Sequence, residues 1–245
     1  MGKPDCLQLP GGLRVPILYE DHSVLAIDKP ARWMLAPAPW HETGRNLLRQ
    51  LMLSIQAGDS WARARKLRYL RHVHRLDAQA SGVLLLAKSP GALRALSRLF
   101  QTRQVQKKYL ALVQGVPERK SWTCRLKLAP KPGPPGRMKV DAVHGKAAET
   151  HFRVLQVGPG QAWVQAEPIT GRTHQIRLHL AAGGHPIVGD ALYGGSTQAQ
   201  EEPPLQLRAI ELRYRDPFRH RPVRITAPPS GGLLKLPPNL KLDLD

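Results

Sequence analysis

The sequence predicts an α+β fold: a mixed, mostly antiparallel central sheet with flanking helices and loops. Three observations lead there. Segments that read as strands outnumber those with helical spacing. The two kinds do not alternate strictly, as a doubly wound sheet would require. Glycine and proline number 21 and 23 of 245 residues, above the usual share of roughly 12%, which calls for many turns.

The elements follow in order. Residues 14–20 and 24–28 read as two short strands around Asp21-His22-Ser23, a turn-like break. Lys29-Pro30 ends the second, and a proline-rich loop runs on to Trp40. Over residues 43–57, Leu47, Leu48, Leu51 and Ile55 recur at helical spacing. Residues 82–87 form a continuous apolar run of buried-strand length. Ser89-Pro90 supplies an N-cap with proline at the first helical position, and Leu93, Leu96, Leu99 and Phe100 give that helix one apolar face. Strands are expected at 109–114, 122–128, 150–157 and 162–167, with a Pro/Gly-rich loop over 129–136. A helix over 170–182 stops at Gly183-Gly184. Strands at 207–214 and 222–226 come last. The expected division is an N-terminal extension (1–13), one domain over 14–228 and a C-terminal tail (229–245), with no repeat of 20–50 residues.

Charge speaks of partners. Lysine and arginine number 37 against 18 acidic residues, a net +19, and polyphosphate is the natural counterpart of such an excess. The basic residues crowd at Arg63, Arg65, Lys66, Arg68, Arg71 and Arg75, and again at Arg213, Arg215, Arg219, Arg221 and Arg224. Aromatics make up only 5%, which argues against a sheet that stacks RNA bases on a row of rings. No apolar run approaches the roughly 18 residues that span a bilayer, and the start lacks the apolar core of a secretory signal. Cys6 and Cys124 make neither a disulfide framework nor a zinc site alone. The expectation is a cytoplasmic, RNA- or DNA-binding protein without membrane association.

The densest chemistry lies in His72-Val73-His74-Arg75-Leu76-Asp77. Two histidines around one residue, with an aspartate close by, raise a metal site. The spacing weighs against it: Asp77 stands three residues after His74, and Ala78 rather than a further histidine follows. A carboxylate satisfied by its neighbouring arginine at a loop end is the plainer reading of these six residues.

The longer stretch decides more. His74-Arg75-Leu76-Asp77-Ala78-Gln79-Ala80-Ser81-Gly82-Val83-Leu84-Leu85-Leu86-Ala87-Lys88 resembles the defining motif of the RluA-type pseudouridine synthases. Others are similar to that family in order and spacing: Tyr19-Glu20-Asp21 through Asp28-Lys29-Pro30, Lys107-Lys108-Tyr109-Leu110-Ala111, Gly145-Lys146-Ala147-Ala148-Glu149-Thr150, Ile169 through Leu180, and Gly184 through Gly194. The chain departs from the family at Ala80 (usually Thr), Asp28 (usually Asn), Arg208 (usually His) and Arg32-Trp33 (usually small, apolar residues).

The resemblance implies a pseudouridine synthase-like catalytic domain without an N-terminal S4 module, acting as a monomer on rRNA or tRNA. It makes Asp77 the catalytic carboxylate, either bonding to the sugar or assisting its deprotonation. Charge at the anomeric carbon becomes oxocarbenium-like as the glycosidic bond breaks, which a carboxylate stabilises or traps. Arg177 is implied as the cation that keeps Asp77 ionised. At about 100° per residue it falls at the margin of the side shared by Thr173, Ile176 and Leu180. Tyr109 is implied as the active-site tyrosine and Arg75 as an aid to base flipping. Lys108, Arg172 and His174 are candidates for RNA contact. The reaction is an internal rearrangement, so neither a cofactor nor a metal is expected. Two other readings stay open on the sequence: a non-catalytic RNA-binding or assembly protein on the same scaffold, and a metal-dependent nuclease built on His72 and His74.

Overall fold

The computed structural model describes residues 3–9, 11–35, 45–133, 136–194 and 203–229. The chain divides into two compact units, Met1–Val105 with Leu212–Ala227, and Gln106–Glu211 with Pro228–Asp245. The mixed α+β class expected from the sequence is observed in each, with a mostly antiparallel sheet and few helices.

In the first unit, strands β1 (Cys6–Leu9), β2 (Leu13–Glu20) and β3 (Val24–Lys29) run antiparallel in that order. Helices α1 (Leu47–Ala57) and α2 (Ser60–Arg63) follow, then β4 (Arg71–His72), β5 (Ser81–Ala87) and α3 (Pro90–Gln101). All seven residues of β5 are buried, as befits a strand between two neighbours, and β3 pairs along it from Val24–Ala87 to Lys29–Gly82. Gly82 has φ +110°, a backbone that side-chain-bearing residues rarely adopt, so this strand starts with a bend only glycine makes freely. Ser89 Oγ accepts the Ala92 N–H at 3.1 Å and Pro90 opens the helix, matching the expected cap. The apolar face of α3, Ala92 and Leu96, packs with Val24, Ala26, Val83, Leu85, Leu212, Val223 and Ile225.

Two details differ from the sequence reading. Helix α1 is capped by Asn46, whose side chain accepts the Arg49 N–H, so it begins at Leu47. Residues 43 and 44, expected inside it, lie outside the described residues, as do residues 36–40 of the proline-rich loop before them. Strands β1 and β4 were not expected. Each is too short for periodicity to register and exists by pairing with a neighbour.

The second unit holds β6 (Gln106–Gln114), β7 (Ser121–Cys124), β8 (Leu128–Pro130), β9 (Met138–Val140), β10 (Thr150–Gly158), β11 (Gln161–Pro168) and α4 (Gln175–Ala182). Strand order is β6-β11-β10-β7, all antiparallel. Strand β12 (Leu207–Arg215) is shared, its first five residues counting with this unit and the rest with the first, where β13 (Pro222–Thr226) pairs with it. The single strand expected at 122–128 breaks after Cys124, and Leu128 instead opens the β8–β9 hairpin, facing Val140. Of the loop expected at 129–136, Ala129 and Pro130 belong to β8, whereas residues 131–133 and 136 lie outside the strands. Helix α4 starts at Gln175 rather than Thr170, because His174 takes a left-handed conformation (φ 54°) that a helix interior excludes.

Glu20, at the end of β2, accepts from Lys88 Nζ at 2.7 Å and Arg65 Nε at 2.9 Å. Burial raises its carboxyl pKa, but these two cations outweigh burial and the net shift is downward. A carboxylate below its unfolded value stabilises the fold above that value, and the contribution is lost as pH falls through the folded one. Glu20→Gln is therefore expected to cost about 1–2 kcal/mol near pH 7. Urea melts of wild type and variant should converge below about pH 4, and a gap that persists there would contradict this account.

Candidate active site

Asp77 sits in the first unit on the wide loop between β4 and β5. That loop is tied down at several points. Val73 N–H donates to Leu85 O at 3.0 Å, and Leu85 N–H donates back to His74 Nε2 at 3.1 Å. The His74 ring also stacks on Phe100, centroids 4.8 Å apart. Leu76 is buried, and Ala80 N–H donates to the Asp77 carbonyl at 3.1 Å. Arg75 is exposed and Asp77 half-buried, so the loop offers both side chains to a ligand.

The residue that sequence reasoning passed over is Lys29. It ends β3 with 0% exposure, and its ammonium donates to Pro30 O at 2.9 Å, Ala78 O at 3.1 Å and Ala80 O at 2.8 Å. Two of these carbonyls flank Gln79, two residues beyond Asp77. Three acceptors call for three N–H donors, which only the charged amine supplies. Burial pushes Lys29 down to about 7, against the pull of the Asp77 and Asp28 charges. The signal was present in the sequence as a charged residue closing an apolar strand, but its partners are backbone atoms some fifty positions away.

His74 Nε2 uses its lone pair on Leu85 N–H, and among the described residues no three of His, Cys, Asp and Glu gather. Burial, followed by Arg75 and Arg71, lowers the His72 pKa, marking the surroundings as cationic.

Tyr109, Lys108, Arg172, His174 and Arg177 belong to the second unit. Tyr109 lies half-buried on β6, opposite Ala166 of β11. By strand alternation Lys107 shares its face and Lys108 takes the other. Lys108 Nζ stands 3.7 Å from the buried Glu211 carboxylate, whereas Lys107 Nζ reaches Thr170 O at 3.4 Å and burial pushes it down to about 8. The loop Ile169–His174 is organised by Gln175. Its side-chain oxygen accepts from Thr170 Oγ1 at 2.6 Å and Arg172 N at 3.0 Å, and its amide donates to Glu149 O and Thr150 Oγ1, both at 2.9 Å. Arg172 Nε donates to Ala147 O at 3.1 Å.

Arg177 corrects the sequence reading. It was placed at the margin of an apolar side, yet Gln175 through Leu180 are all buried and Arg177 is 2% exposed. Thr173, assigned to that side, precedes the helix. Such burial is tolerable because Arg177 is bidentate to Asp190, Nε to Oδ2 at 2.8 Å and Nη2 to Oδ1 at 2.6 Å. Asp190 is in turn fixed by a turn that needs glycine before it: Gly189 has φ +77°, and a Cβ there would collide with the Pro203 carbonyl. Asp190 carried no role in the sequence analysis. A shallow groove on β7, β10 and β11 is lined by Ser121, Trp122, Thr123, His151, Arg153 and Glu167 among others, and none of the candidate residues lines it.

Comparison with known proteins identifies the fold. The family model described as RNA pseudouridylate synthase matches residues 23–182. Ribosomal large subunit pseudouridine synthase C of Vibrio vulnificus is 36% identical over 234 residues, covering 92% of this chain and 69% of that protein. The chain belongs to the RluA-type RNA pseudouridine synthases. The dual-specificity RNA pseudouridine synthase RluA of Salmonella typhi is 32% identical over 203 residues, 82% of this synthase and 87% of that one. The solved structure of human RNA pseudouridylate synthase domain containing 1 superposes with a TM-score of 0.69 at 28% identity, covering 88% of this chain and 84% of that one. The synthase is an isomerase, and the catalytic reading stands over the non-catalytic scaffold reading. Among the described residues no helix is long and apolar enough to cross a membrane.

Replacing the Lys29 clamp tests its part in holding the Asp77 loop. Lys29→Met is expected to slow pseudouridine formation about tenfold, the scale of a displaced reacting group. Burial also leaves a stability signature. The unfolded chain keeps the Lys29 proton up to about 10.5 and the folded chain releases it near 7, so unfolding takes up a proton between those values and stability rises with pH. Guanidinium melts from pH 7 to 9.5 should show this rise in wild type and a flatter profile in Lys29→Met. Identical profiles would remove the assignment.

Proposed function

We propose that this synthase isomerises uridines of large-subunit ribosomal RNA, with Asp77, Tyr109 and Arg177 as its catalytic residues. One observation carries the reading: the family match over residues 23–182 spans all three in the expected order. The names of relatives support the substrate, since the Vibrio vulnificus protein and the 34%-identical synthase D of Xylella fastidiosa are both called ribosomal large subunit enzymes. A net charge of +19 suits a phosphate-rich partner.

The chemistry runs within one nucleotide. The C1′–N1 bond breaks, the uracil turns, and C5 bonds to C1′, while the C5 proton leaves and N1 regains one. Asp77 acts at the ribose, on a loop whose backbone is clamped by Lys29 and His74. A base in a stacked helix is out of reach, so the uridine is flipped out, and the exposed Arg75 on that loop fills the vacated space or holds the flipped nucleotide. Tyr109, on the face it shares with Lys107, takes the C5 proton or stacks on the uracil. Arg177 keeps the site cationic, held by Asp190. Arg172 and His174, half-exposed at the start of α4, contact phosphate. The catalytic domain is taken to cover 14–228, working as a monomer.

The test uses RNA carrying tritium at uracil C5. Wild type should release label, and Asp77→Asn should release at least a thousandfold less while binding RNA within about threefold of wild type, as expected for loss of a group acting in the transition state. Equal release by the two proteins, or none from any ribosomal RNA, would defeat the reading.

A further inference from the structure

Asp190 begins a turn whose third following residue, Tyr193, touches the arginine motif at several points. The Tyr193 ring lies 5.2 Å from Arg177 Cζ, in cation–π range. Its hydroxyl stands 2.8 Å from His174 Nδ1 and accepts the Met138 N–H of the β8–β9 hairpin at 3.0 Å. The two rings meet edge to face, centroids 5.6 Å apart. Its own N–H donates to Asp190 Oδ1 at 3.2 Å, the oxygen that also receives Arg177 Nη2. The ring is packed with Leu128, Ala148 and Leu178.

These contacts divide into two jobs. Asp190 fixes the edge of the guanidinium that carries Nε and Nη2, and Cζ stands over the Tyr193 ring, so both restrict rotation about the last side-chain bond. His174 is held at φ 54°, a conformation that costs a non-glycine residue of order 1 kcal/mol and persists only where neighbours enforce it. The hydroxyl is one such neighbour. Its remaining bond reaches the hairpin, where Met138 N–H would be left without this acceptor if the hydroxyl were removed.

We propose that Tyr193 is a positioning residue of the synthase, setting the Arg177 guanidinium with its ring and the His174 imidazole with its hydroxyl, and linking both to the β8–β9 hairpin. The inference rests on the reading that Arg177 and His174 serve the reaction. It predicts separable defects. Tyr193→Phe keeps the ring over Arg177 and removes only the hydroxyl bonds. Tyr193→Leu loses both.

The experiment is single-turnover tritium release from protein-free ribosomal RNA of cells lacking the enzyme. Tyr193→Phe should raise the half-saturating RNA concentration about tenfold with the saturating rate within twofold, because His174 contacts phosphate, and Tyr193→Leu should also slow the saturating rate about a hundredfold, the cost of about 1 Å of misplacement of Arg177. Tyr193→Phe should add nothing to the affinity loss of a His174→Ala background, because the hydroxyl bears on phosphate only through that histidine. Wild-type RNA affinity in Tyr193→Phe, a wild-type saturating rate in Tyr193→Leu, or full additivity with His174→Ala would each overturn the proposal. So would a rate loss that tracks a lowered melting temperature and disappears on cooling. If wild type itself releases no label, the reading of function fails first, and that result is distinct from all of these.

Discussion

A single ammonium, driven into the sheet at the end of β3, sets the shape of the loop that presents Asp77. Lys29 is completely buried and spends its three protons on main-chain carbonyls. A buried charge without hydrogen bonds would be ruinous, whereas one bonded to three oriented carbonyl dipoles becomes a staple between strand and loop. Carbonyls at Ala78 and Ala80 converge on the Lys29 ammonium, which holds the chain between them in a turn beside the half-buried Asp77. The positive-φ start of β5 at Gly82 completes the bend.

The second unit solves a related problem differently. It buries Arg177, His179, Gln175, Thr150 and Thr170 together, and each is answered locally. Arg177 has Asp190. Gln175 ties Thr170 to Glu149. His179 bonds Thr150 Oγ1 at 2.9 Å and Leu126 O at 3.2 Å, and burial pushes its pKa down, which favours the uncharged ring. The helix that carries the arginine motif is thus embedded through polar contacts as much as apolar ones, which accounts for its burial on every side.

That difference explains what the sequence could and could not reveal. The strands at 24–28 and 82–87 and the helix after Ser89 were legible because their signals are local: alternation, an apolar run, a cap. The start of α4 was not, since the periodicity of Ile176 and Leu180 continues back through Thr173 while the backbone at His174 has already left helical space. Arg177 was misplaced for the same reason. A helical wheel sorts residues by polarity, and here the core accepts an arginine because Asp190, distant in sequence, neutralises it. The candidate residues were legible only as motifs matching a family. Lys29 and Tyr193 lay inside those motifs, but their work is done on backbone atoms and ring faces, which leave no trace in residue order.

Strand β12 crosses from one unit to the other, and Leu212–Ala227 complete the first unit's sheet and core. A ribosome making this protein would extrude the first 105 residues with Val24, Ala26, Val83 and Leu85 still lacking their partners Leu212, Val223 and Ile225. At translation speeds of about 5–20 residues per second, the nascent apolar face waits about 5–20 s for its closing strands. The second unit, which needs nothing beyond β12 from later in the chain for its sheet, can form during that delay. The first unit can therefore close its core only after the second unit has been synthesised.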